Sequence, residues 1–363
     1  MKLKCGIVGL PNVGKSSLFN SLTAQDIPAE NYPFCTIEPN IGIVQVPDHK
    51  LFELAKIAAS AEIIQAVMEF VDIAGLVAGA SKGEGLGNKF LTHIRETQAI
   101  IHVLRCYKDD NIIHVSKNIN PLDDLHTINT ELLLSDLEVA ERAIIKVQKT
   151  AKSGDKEAKI RLACLQKALS FLADGTPLRL ANLDEQEIEV LRDLNLISTK
   201  KMLYVLNISE QGLQDNESYT DLENYILEQG DQYIYLAIKL ENEIALLDPV
   251  DKGLYLQEYN LNEPGLNKLI TKAYSLLNLH SYYTIGPKEA RAWTIPIHML
   301  APQAAGAIHT DFEKGFIRAE VITYEDYIKH LGELGCKNSG KMRLEGKDYE
   351  VKSGDVMHFR FNV

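Results

Sequence analysis

Short apolar runs recur through the first two thirds of the chain, and stretches with helical periodicity separate most of them. Six runs have the length and composition of buried parallel strands: 4–8, 41–44, 68–71, 100–104, 202–206 and 233–237. Strands that alternate with helices favour a doubly wound, mainly parallel α/β sheet. Ligands in such a sheet bind beyond the carboxyl ends of its strands, so polar residues that follow these runs are candidates for chemistry.

The turn after the first run carries the most specific motif. Residues 9–16, Gly-Leu-Pro-Asn-Val-Gly-Lys-Ser, fit G-x-x-x-x-G-K-[ST], the phosphate-binding loop. Its glycines let consecutive backbone N–H groups face an anion, and the helix that follows adds the positive end of its dipole. In this pattern Lys15 reaches the β- and γ-phosphates as a catalytic cation, and Ser16 binds Mg²⁺.

Two later segments have the order expected of a nucleotide switch. Asp72 ends the third run, where a carboxylate can hold the magnesium shell, and Gly75 lets a backbone N–H approach the γ-phosphate. Between the phosphate loop and Asp72, the proline-containing segment 32–39 offers Thr36 as a second hydroxyl for Mg²⁺. We expect Thr36 to be ordered only when the γ-phosphate is present.

The residue after Gly75 departs from the pattern of Ras-like proteins, which carry there a glutamine that orients the attacking water. This chain has Leu76, which cannot form that hydrogen bond. Five glycines in residues 75–87 predict a mobile second switch. Hydrolysis is therefore expected to be slow, or to depend on a group supplied by another residue or by a partner.

The segment after the fifth run corresponds to the base reader N-K-x-D of GTPases but reads Asn207-Ile208-Ser209-Glu210. Ile208 replaces the lysine, and Glu210 replaces the aspartate that accepts hydrogen bonds from guanine. Asn207 can pair with N6 and N7 of adenine, or with N7 and O6 of guanine. The residues alone leave the choice between ATP and GTP open.

From residue 129 to 174 the apolar positions step by four and three residues. Such narrow seams indicate two antiparallel coiled-coil helices, joined at Ser153-Gly154-Asp155 and inserted into the nucleotide domain. The segment 142–167 contains two acidic and eight basic residues: Arg142, Lys146, Lys149, Lys152, Lys156, Lys159, Arg161 and Lys167. Phosphate backbones attract such a patch, although a solvated helix surface also carries many lysines.

Length and composition narrow the class of protein. A chain of 363 residues suits two or three domains, and a net charge of −12 argues against wholesale coating of nucleic acid. Five scattered cysteines without C-x-x-C are typical of a reduced cytoplasmic protein that has neither a disulfide framework nor a zinc site. We see no signal peptide and no apolar run of bilayer length, so we expect no membrane partner.

The last part of the chain has a different pattern. An amphipathic helix is predicted over 264–279, and a domain boundary is expected around 280–285. Runs at 292–295, 315–321 and 356–361 predict short strands, with a short helix over 324–328 between the last two. No catalytic constellation is evident in this part.

Together these motifs resemble the YchF family, the Obg-like ATPases among translation-factor-class P-loop NTPases. The similarity spans essentially the whole chain. It is carried by G-L-P-N-V-G-K-S-S, Y-P-F-C-T-I-E-P-N, F-V-D-I-A-G-L-V, G-A-S-K-G-E-G-L-G-N, N-x-x-E and the C-terminal stretches 291–296, 301–306 and 309–319.

The resemblance implies a cytoplasmic ATPase of low intrinsic rate that binds ribosomes, with the large subunit and its RNA as expected contacts. It places Mg²⁺ at Ser16 and Thr36 and suggests K⁺ near Asn12. It also suggests His114 as the replacement for the missing glutamine, although a surface histidine is the plainer interpretation. The residues implied for nucleotide binding are Asn12, Val13, Gly14, Lys15, Ser16, Ser17, Asn207, Ile208 and Glu210.

Three domains are expected from these observations. They are a nucleotide domain of 1–128 with 200–280, a helical insertion of 129–199, and a C-terminal domain of 281–363, all in a monomer. The resemblance implies that the C-terminal domain is a ubiquitin-like β-grasp (TGS) domain. Two alternatives to a slow ATPase switch remain open. One is a GTPase or a nucleotidase of dual specificity, and the other is a binding protein whose conformation the nucleotide sets without useful turnover.

Overall fold

A computed structural model describes residues 3–24, 40–73, 86–109, 112, 119–215 and 217–362. Its contacts divide the chain into two compact units. The first draws on 3–24, 40–42 and 69–269, and the second draws on 43–68 and 270–362. The expected nucleotide domain contained 43–68, whereas the contacts group these residues with the C-terminal sheet.

The first sheet has the strand order β2-β4-β1-β5-β6-β7. Its strands are β1 (Lys4–Val8), β2 (Ile41–Gln45), β4 (Val67–Asp72), β5 (Ala99–Arg105), β6 (Lys201–Asn207) and β7 (Gln232–Leu236). β1 pairs in parallel with β4 and β5, and β6 pairs in parallel with β5 and β7. Every residue of β5 is buried, as expected of a central strand covered on both faces. The expected doubly wound, mainly parallel α/β sheet is thus confirmed.

One strand direction was predicted wrongly. The backbone N–H of Asp72 donates to Asn40 at 2.9 Å, and that of Val46 donates to Ala66 at 2.8 Å. These bonds join opposite ends of the two strands, so β2 runs antiparallel to β4 rather than parallel to it. An edge strand of reversed direction is common in such sheets, and its residue types do not reveal its direction.

The first unit also contains the following helices, in addition to two long ones described below. Their bounds are α1 (Lys15–Thr23), α3 (Leu86–Arg95), α6 (Glu185–Leu191), α7 (Glu210–Gln214), α8 (Thr220–Glu228), α9 (Ile238–Ala245), α10 (Pro249–Glu258) and α11 (Gly265–Leu276), the last of which continues into the second unit. None of the described helices combines the length and the apolar character needed to cross a membrane.

Two long helices form the connection between β5 and β6. α4 (Pro121–Lys152) begins at an Asn120 cap, earlier than the predicted start of the seam, and α5 (Lys156–Ala173) begins at an Asp155 cap. Most of the seam residues of both helices pack into one apolar cluster around Ala140, Leu165 and Leu172. The predicted helical hairpin is confirmed, and we call α4 and α5 with their turn the arm.

The second unit contains a mixed sheet of order β11-β10-β12-β8-β9-β3. Its elements are α2 (His49–Ala58), β3 (Glu62–Ile64), β8 (Leu279–Ile285), β9 (Glu289–Pro296), α12 (Ala301–Ile308), α13 (Thr310–Lys314), β10 (Phe316–Ile322), α14 (Tyr324–Lys329), α15 (Glu333–Asn338), β11 (Arg343–Glu345) and β12 (Val356–Phe361). The predicted strands and the short helix are confirmed, while β8 occupies the stretch where a boundary was expected. The core includes Tyr282, Ile295 and Phe359.

Candidate nucleotide site

The phosphate-binding loop leaves β1 and enters α1 through backbone conformations that its sequence permits. A Cβ atom on Gly9 would lie 2.6 Å from the carbonyl oxygen of Val103, so only glycine fits there. Gly14 has φ of 106° and Asn12 has φ of 62°, both in the left-handed region that glycine and asparagine tolerate best. No side chain caps α1 at Gly14, so the first-turn N–H groups suit an anion.

Lys15 lies in the floor of this loop. Its side chain is buried, and Nζ donates to the carbonyl oxygen of Leu10 at 2.7 Å. Burial lowers the pKa of Lys15 to about 8, and the nearby Asp72 carboxylate opposes that shift. The ammonium is therefore charged at neutral pH but held close to its titration range.

Ser16 and Asp72 meet beside the loop, as their motifs predict. Ser16 Oγ donates to Asp72 Oδ2 at 3.1 Å. The other oxygen, Asp72 Oδ1, is buried and has no hydrogen-bond partner within the described part of the chain. A hydroxyl next to a carboxylate with an unsatisfied buried oxygen is a donor set that suits a hard cation such as Mg²⁺.

Four residues of the predicted site lie outside the described residues: Thr36, Gly75, Leu76 and His114. Their roles in magnesium binding, γ-phosphate contact and water positioning stay predictions from the sequence.

Asn207 ends β6, and its side chain joins the phosphate loop to the first residue of α9. Its Nδ2 donates to the carbonyl oxygen of Val13 at 2.9 Å, and its Oδ1 accepts from the N–H of Ile238 at 3.2 Å. The side chain is only 3% exposed. One N–H and one lone pair of the amide remain for a base, so Asn207 has a structural role that the motif alone does not reveal.

A cavity of about 590 Å³ opens beside Asn207. Gly14 and Ser17 of the phosphate loop line it, as do Ile208 and Glu210. Ile208 is buried, and its side chain offers no hydrogen-bonding group to a base. The volume of the cavity and its mixture of apolar and polar walls suit a nucleoside.

The carboxylate of Glu210 is engaged by neighbours at this cavity. Oε2 accepts a hydrogen bond from the Tyr259 hydroxyl at 3.4 Å, and Oε1 lies 3.8 Å from Nζ of Lys239. Both partners also line the cavity. They lie far from Glu210 in sequence, so the local motif gave no signal for either contact.

Sequence reasoning also missed two buried residues of β5. His102 lies in the sheet with neither ring nitrogen hydrogen-bonded among the described residues, and burial, aided by the charge of Lys15, lowers its pKa to about 3. Arg105 is fully buried at the end of the same strand. The sequence signal for each was a polar residue in an otherwise apolar run: His102 at the centre of the run and Arg105 at its end.

The sheet order, the loop around Lys15, the Ser16–Asp72 pair and the adjoining cavity define a P-loop nucleotide-binding protein of the α/β class. Residues 4–136 match a family described as a 50S ribosome-binding GTPase, and residues 279–362 match YchF-GTPase_C, described as a protein of unknown function. The chain belongs to the YchF family.

Relatives match the chain over its full length. It is 54% identical over 363 residues to the Ribosome-binding ATPase YchF of Haemophilus influenzae and 48% identical over 366 residues to that of Bacillus subtilis, with all of each chain covered. A solved structure, the Schizosaccharomyces pombe YchF GTPase, is 35% identical with a TM-score of 0.89, covering 99% of this chain and 98% of that one.

Proposed function

We propose that this protein is a slow ATP-hydrolysing switch that associates with the ribosome in the cytoplasm and regulates translation or a stress response. The observation that carries the choice of ATP is the engagement of Glu210 by Tyr259 and Lys239, next to the apolar Ile208. Guanine recognition needs a free carboxylate that accepts from N1–H and the 2-amino group. Adenine presents an acceptor at N1, so a carboxylate held by other donors suits adenine better.

On the phosphate side, the chain's own groups account for binding and orientation. Lys15 exchanges its contact with Leu10 for the β- and γ-phosphate oxygens, and the N–H groups of the loop hold the phosphates in place. Ser16, Asp72 and Thr36 hold Mg²⁺, which neutralises charge on the phosphate oxygens when it is bound.

Three further assignments extend this proposal. Asn12 helps to bind K⁺, Gly75 contacts the γ-phosphate through its N–H, and His114 positions or deprotonates the attacking water. Slow turnover follows from Leu76, which cannot take over the role of the missing glutamine.

Ribosome association is supported by the names of the relatives and by the local positive charge of the segment 142–167 of the arm. Its turn region carries exposed lysines for which no ion pair is present among the described residues: Lys146, Lys149, Lys152, Lys156 and Lys159. We propose that these lysines contact ribosomal RNA of the large subunit. For the monomer we propose a nucleotide domain of 1–128 with 200–280, a helical insertion of 129–199, and a TGS domain of 281–363 that makes a second ribosome contact. Residues 43–68 fall in the first of these by sequence, but their contacts join them to the C-terminal sheet.

The runner-up function is GTP hydrolysis. It is favoured by the carboxylate of Glu210 at the cavity, one methylene longer than the aspartate of GTPases, and by the name of the S. pombe structure. The two candidates differ in one measurable quantity, the ratio of ATP to GTP affinity.

Calorimetric titration of nucleotide-free protein with non-hydrolysable ATP and GTP analogues, with Mg²⁺ at fixed K⁺, tests the choice. We expect the ATP analogue to bind at least about tenfold more tightly, or about 1.4 kcal/mol. Equal or tighter binding of the GTP analogue would exclude the ATPase assignment.

A matched variant sharpens the test. The double change Ile208→Lys and Glu210→Asp restores N-K-x-D and should move the affinity ratio toward GTP. If ATP binds tightly but no turnover occurs even with ribosomes and K⁺, the protein is a nucleotide-gated binding protein rather than an enzyme.

A further inference from the structure

Arg105 occupies an unusual position for an arginine. It ends the central strand β5, is 0% exposed, and forms no ion pair with a carboxylate among the described residues. Its three hydrogen bonds go to main-chain carbonyl oxygens of the segment that follows. Nε donates to Tyr107 at 3.1 Å, Nη1 to Ile112 at 3.1 Å, and Nη2 to Asp109 at 3.0 Å.

The guanidinium shape explains why an arginine stands there. Its planar fork directs N–H groups outward from three nitrogen atoms, so one side chain can satisfy three carbonyls that point at it from different directions. A lysine ammonium donates from a single nitrogen and cannot reach all three. The guanidinium also lies 4.9 Å from the ring centroid of Tyr107, which adds a cation–π contact.

The segment that Arg105 holds is part of the nucleotide cavity. Tyr107, Lys108, Asp109 and Ile112 all line the cavity that Asn207 and Glu210 also line. A backbone bond of 2.9 Å from the N–H of Cys106 to the carbonyl oxygen of Asn207 fixes the start of this segment beside the base reader. Within the segment, the N–H of Ile112 also donates to the carbonyl oxygen of Asp109 at 3.2 Å, and Arg105 adds three hydrogen bonds to the described residues of the segment from a single side chain.

We propose that Arg105 is a positioning residue that shapes the base-side wall of the nucleotide cavity and thereby sets affinity for the nucleoside part of the ligand. The inference rests on the proposed nucleotide binding and names no direct contact between Arg105 and nucleotide. Because the phosphate loop is built by β1 and α1, the phosphate subsite does not depend on Arg105.

Two probes separate these subsites. Inorganic tripolyphosphate occupies the phosphate loop alone, whereas a non-hydrolysable ATP analogue occupies both subsites. In full-length Arg105→Lys we expect the Kd of the ATP analogue to rise about tenfold, while the Kd of tripolyphosphate stays within about twofold of wild type. ATP-analogue affinity unchanged within about twofold, or an equal loss for both probes, would overturn the proposal.

Arg179 provides a matched control. It is also a largely buried arginine of the first unit, paired through Nε and Nη2 with Asp231, and it does not line the cavity. Arg179→Lys should lower the melting temperature as Arg105→Lys does but change neither Kd. A tenfold weaker ATP analogue in the control as well would assign the effect to general destabilisation and refute the role of Arg105.

A measurement on wild-type protein covers the case in which Arg105→Lys does not fold. Amide hydrogen exchange of residues 107–109 and 112 should slow with the ATP analogue and remain at its free rate with tripolyphosphate. Equal exchange with both probes would contradict the assignment of this segment to the base-side wall. If wild-type protein binds tripolyphosphate but not the ATP or GTP analogue, the proposed function fails instead, and the two failures are distinguishable.

Discussion

Lys15 combines two requirements that oppose each other. In the proposed site it must be charged to attract phosphate, yet the loop buries it against the carbonyl oxygen of Leu10. Burial lowers its pKa from the ordinary lysine value to about 8. A bound triphosphate adds negative charge beside the ammonium and raises the pKa again, so nucleotide binding and protonation of Lys15 favour each other.

This coupling predicts proton uptake on nucleotide binding. With a free-state pKa of about 8, Lys15 takes up about half a proton per bound nucleotide at pH 8 and only about a tenth at pH 7. Affinity should therefore fall as the pH rises through 8. Calorimetry of the Mg²⁺-bound ATP analogue in buffers of different ionisation enthalpy measures the uptake.

Lys200 serves as the control for this experiment, because burial lowers its pKa to about 8 as well. Its Nζ donates to the carbonyl oxygens of Arg95 and Thr97, and it does not line the cavity. Lys200→Arg should leave the uptake unchanged. Uptake that disappears in this variant, or that is equal at pH 7 and pH 8 in wild type, would contradict the assignment to Lys15.

At the residue scale, the sequence predicted the groups whose spacing is local. The phosphate loop and its Ser16–Asp72 pair could be found because a motif fixes which residue follows which strand. The sequence could not predict that the side chain of Asn207 hydrogen-bonds to Val13 and Ile238. Nor could it predict that Tyr259 and Lys239 contact the carboxylate of Glu210. Those contacts depend on how distant segments pack, which one sequence does not encode in any short pattern.

Within the arm, positive charge is concentrated in the segment 142–167, which carries eight basic and two acidic residues in a chain of net charge −12. Three of its eight basic residues are paired: Arg142 with Glu138, Arg161 with Asp193, and Lys167 with Glu187. The five remaining lysines lie at or near the turn and are exposed. The unneutralised positive charge is therefore concentrated at the end of the arm, where it can reach a phosphate backbone.

Reversing charge at that end should weaken ribosome association without affecting ATP turnover. We expect Lys149→Glu, Lys152→Glu and Lys156→Glu together to reduce co-sedimentation with ribosomes about tenfold or more at low salt, with a smaller deficit as salt rises. Intrinsic ATPase activity should stay within about twofold, since none of the three lines the cavity.

A control triple variant has the same change in net charge at exposed lysines elsewhere: Lys201→Glu, Lys268→Glu and Lys272→Glu. It should sediment like wild type. Equal losses in the two triple variants would mean that total charge, rather than the arm, governs association.

At the element scale, periodicity decided what could be predicted. The arm repeats a four-and-three spacing over many turns, so its helices were predictable before any contact was known. β3 has three residues and β8 falls where a boundary was expected. β3 carries too few residues for a pattern, and its partner β9 is remote in sequence. β8 has seven residues and pairs with the adjacent β9, but its polar and apolar residues do not alternate, so no strand pattern marked it.

The whole molecule consists of two compact units that are interleaved along the chain. Residues 43–68 belong to the second unit, although the first unit surrounds them in sequence. β3 pairs in parallel with β9 over Glu62–Ile64, and Asp48 accepts from the Tyr283 hydroxyl at 2.9 Å. A single cut between domains, as the sequence suggested, therefore cannot separate the C-terminal unit intact.

A fragment of residues 270–363 should accordingly be less stable than the same fragment joined by a flexible linker to 43–68. Within the second unit, α2 contributes the fully buried Leu51 and Leu54, and burial of each is worth about 1.5–3 kcal/mol. We expect the free energy of unfolding of the joined fragment, measured in urea, to be at least about 2 kcal/mol larger after the cost of ordering the added segment.

Replacing Leu51 and Leu54 by serine in the joined fragment should remove most of that gain, because β3 alone supplies little apolar surface. Equal stability of the two fragments would show that 43–68 only rests on a sheet that is complete without it, and the boundary expected at residue 281 would then describe an independent domain.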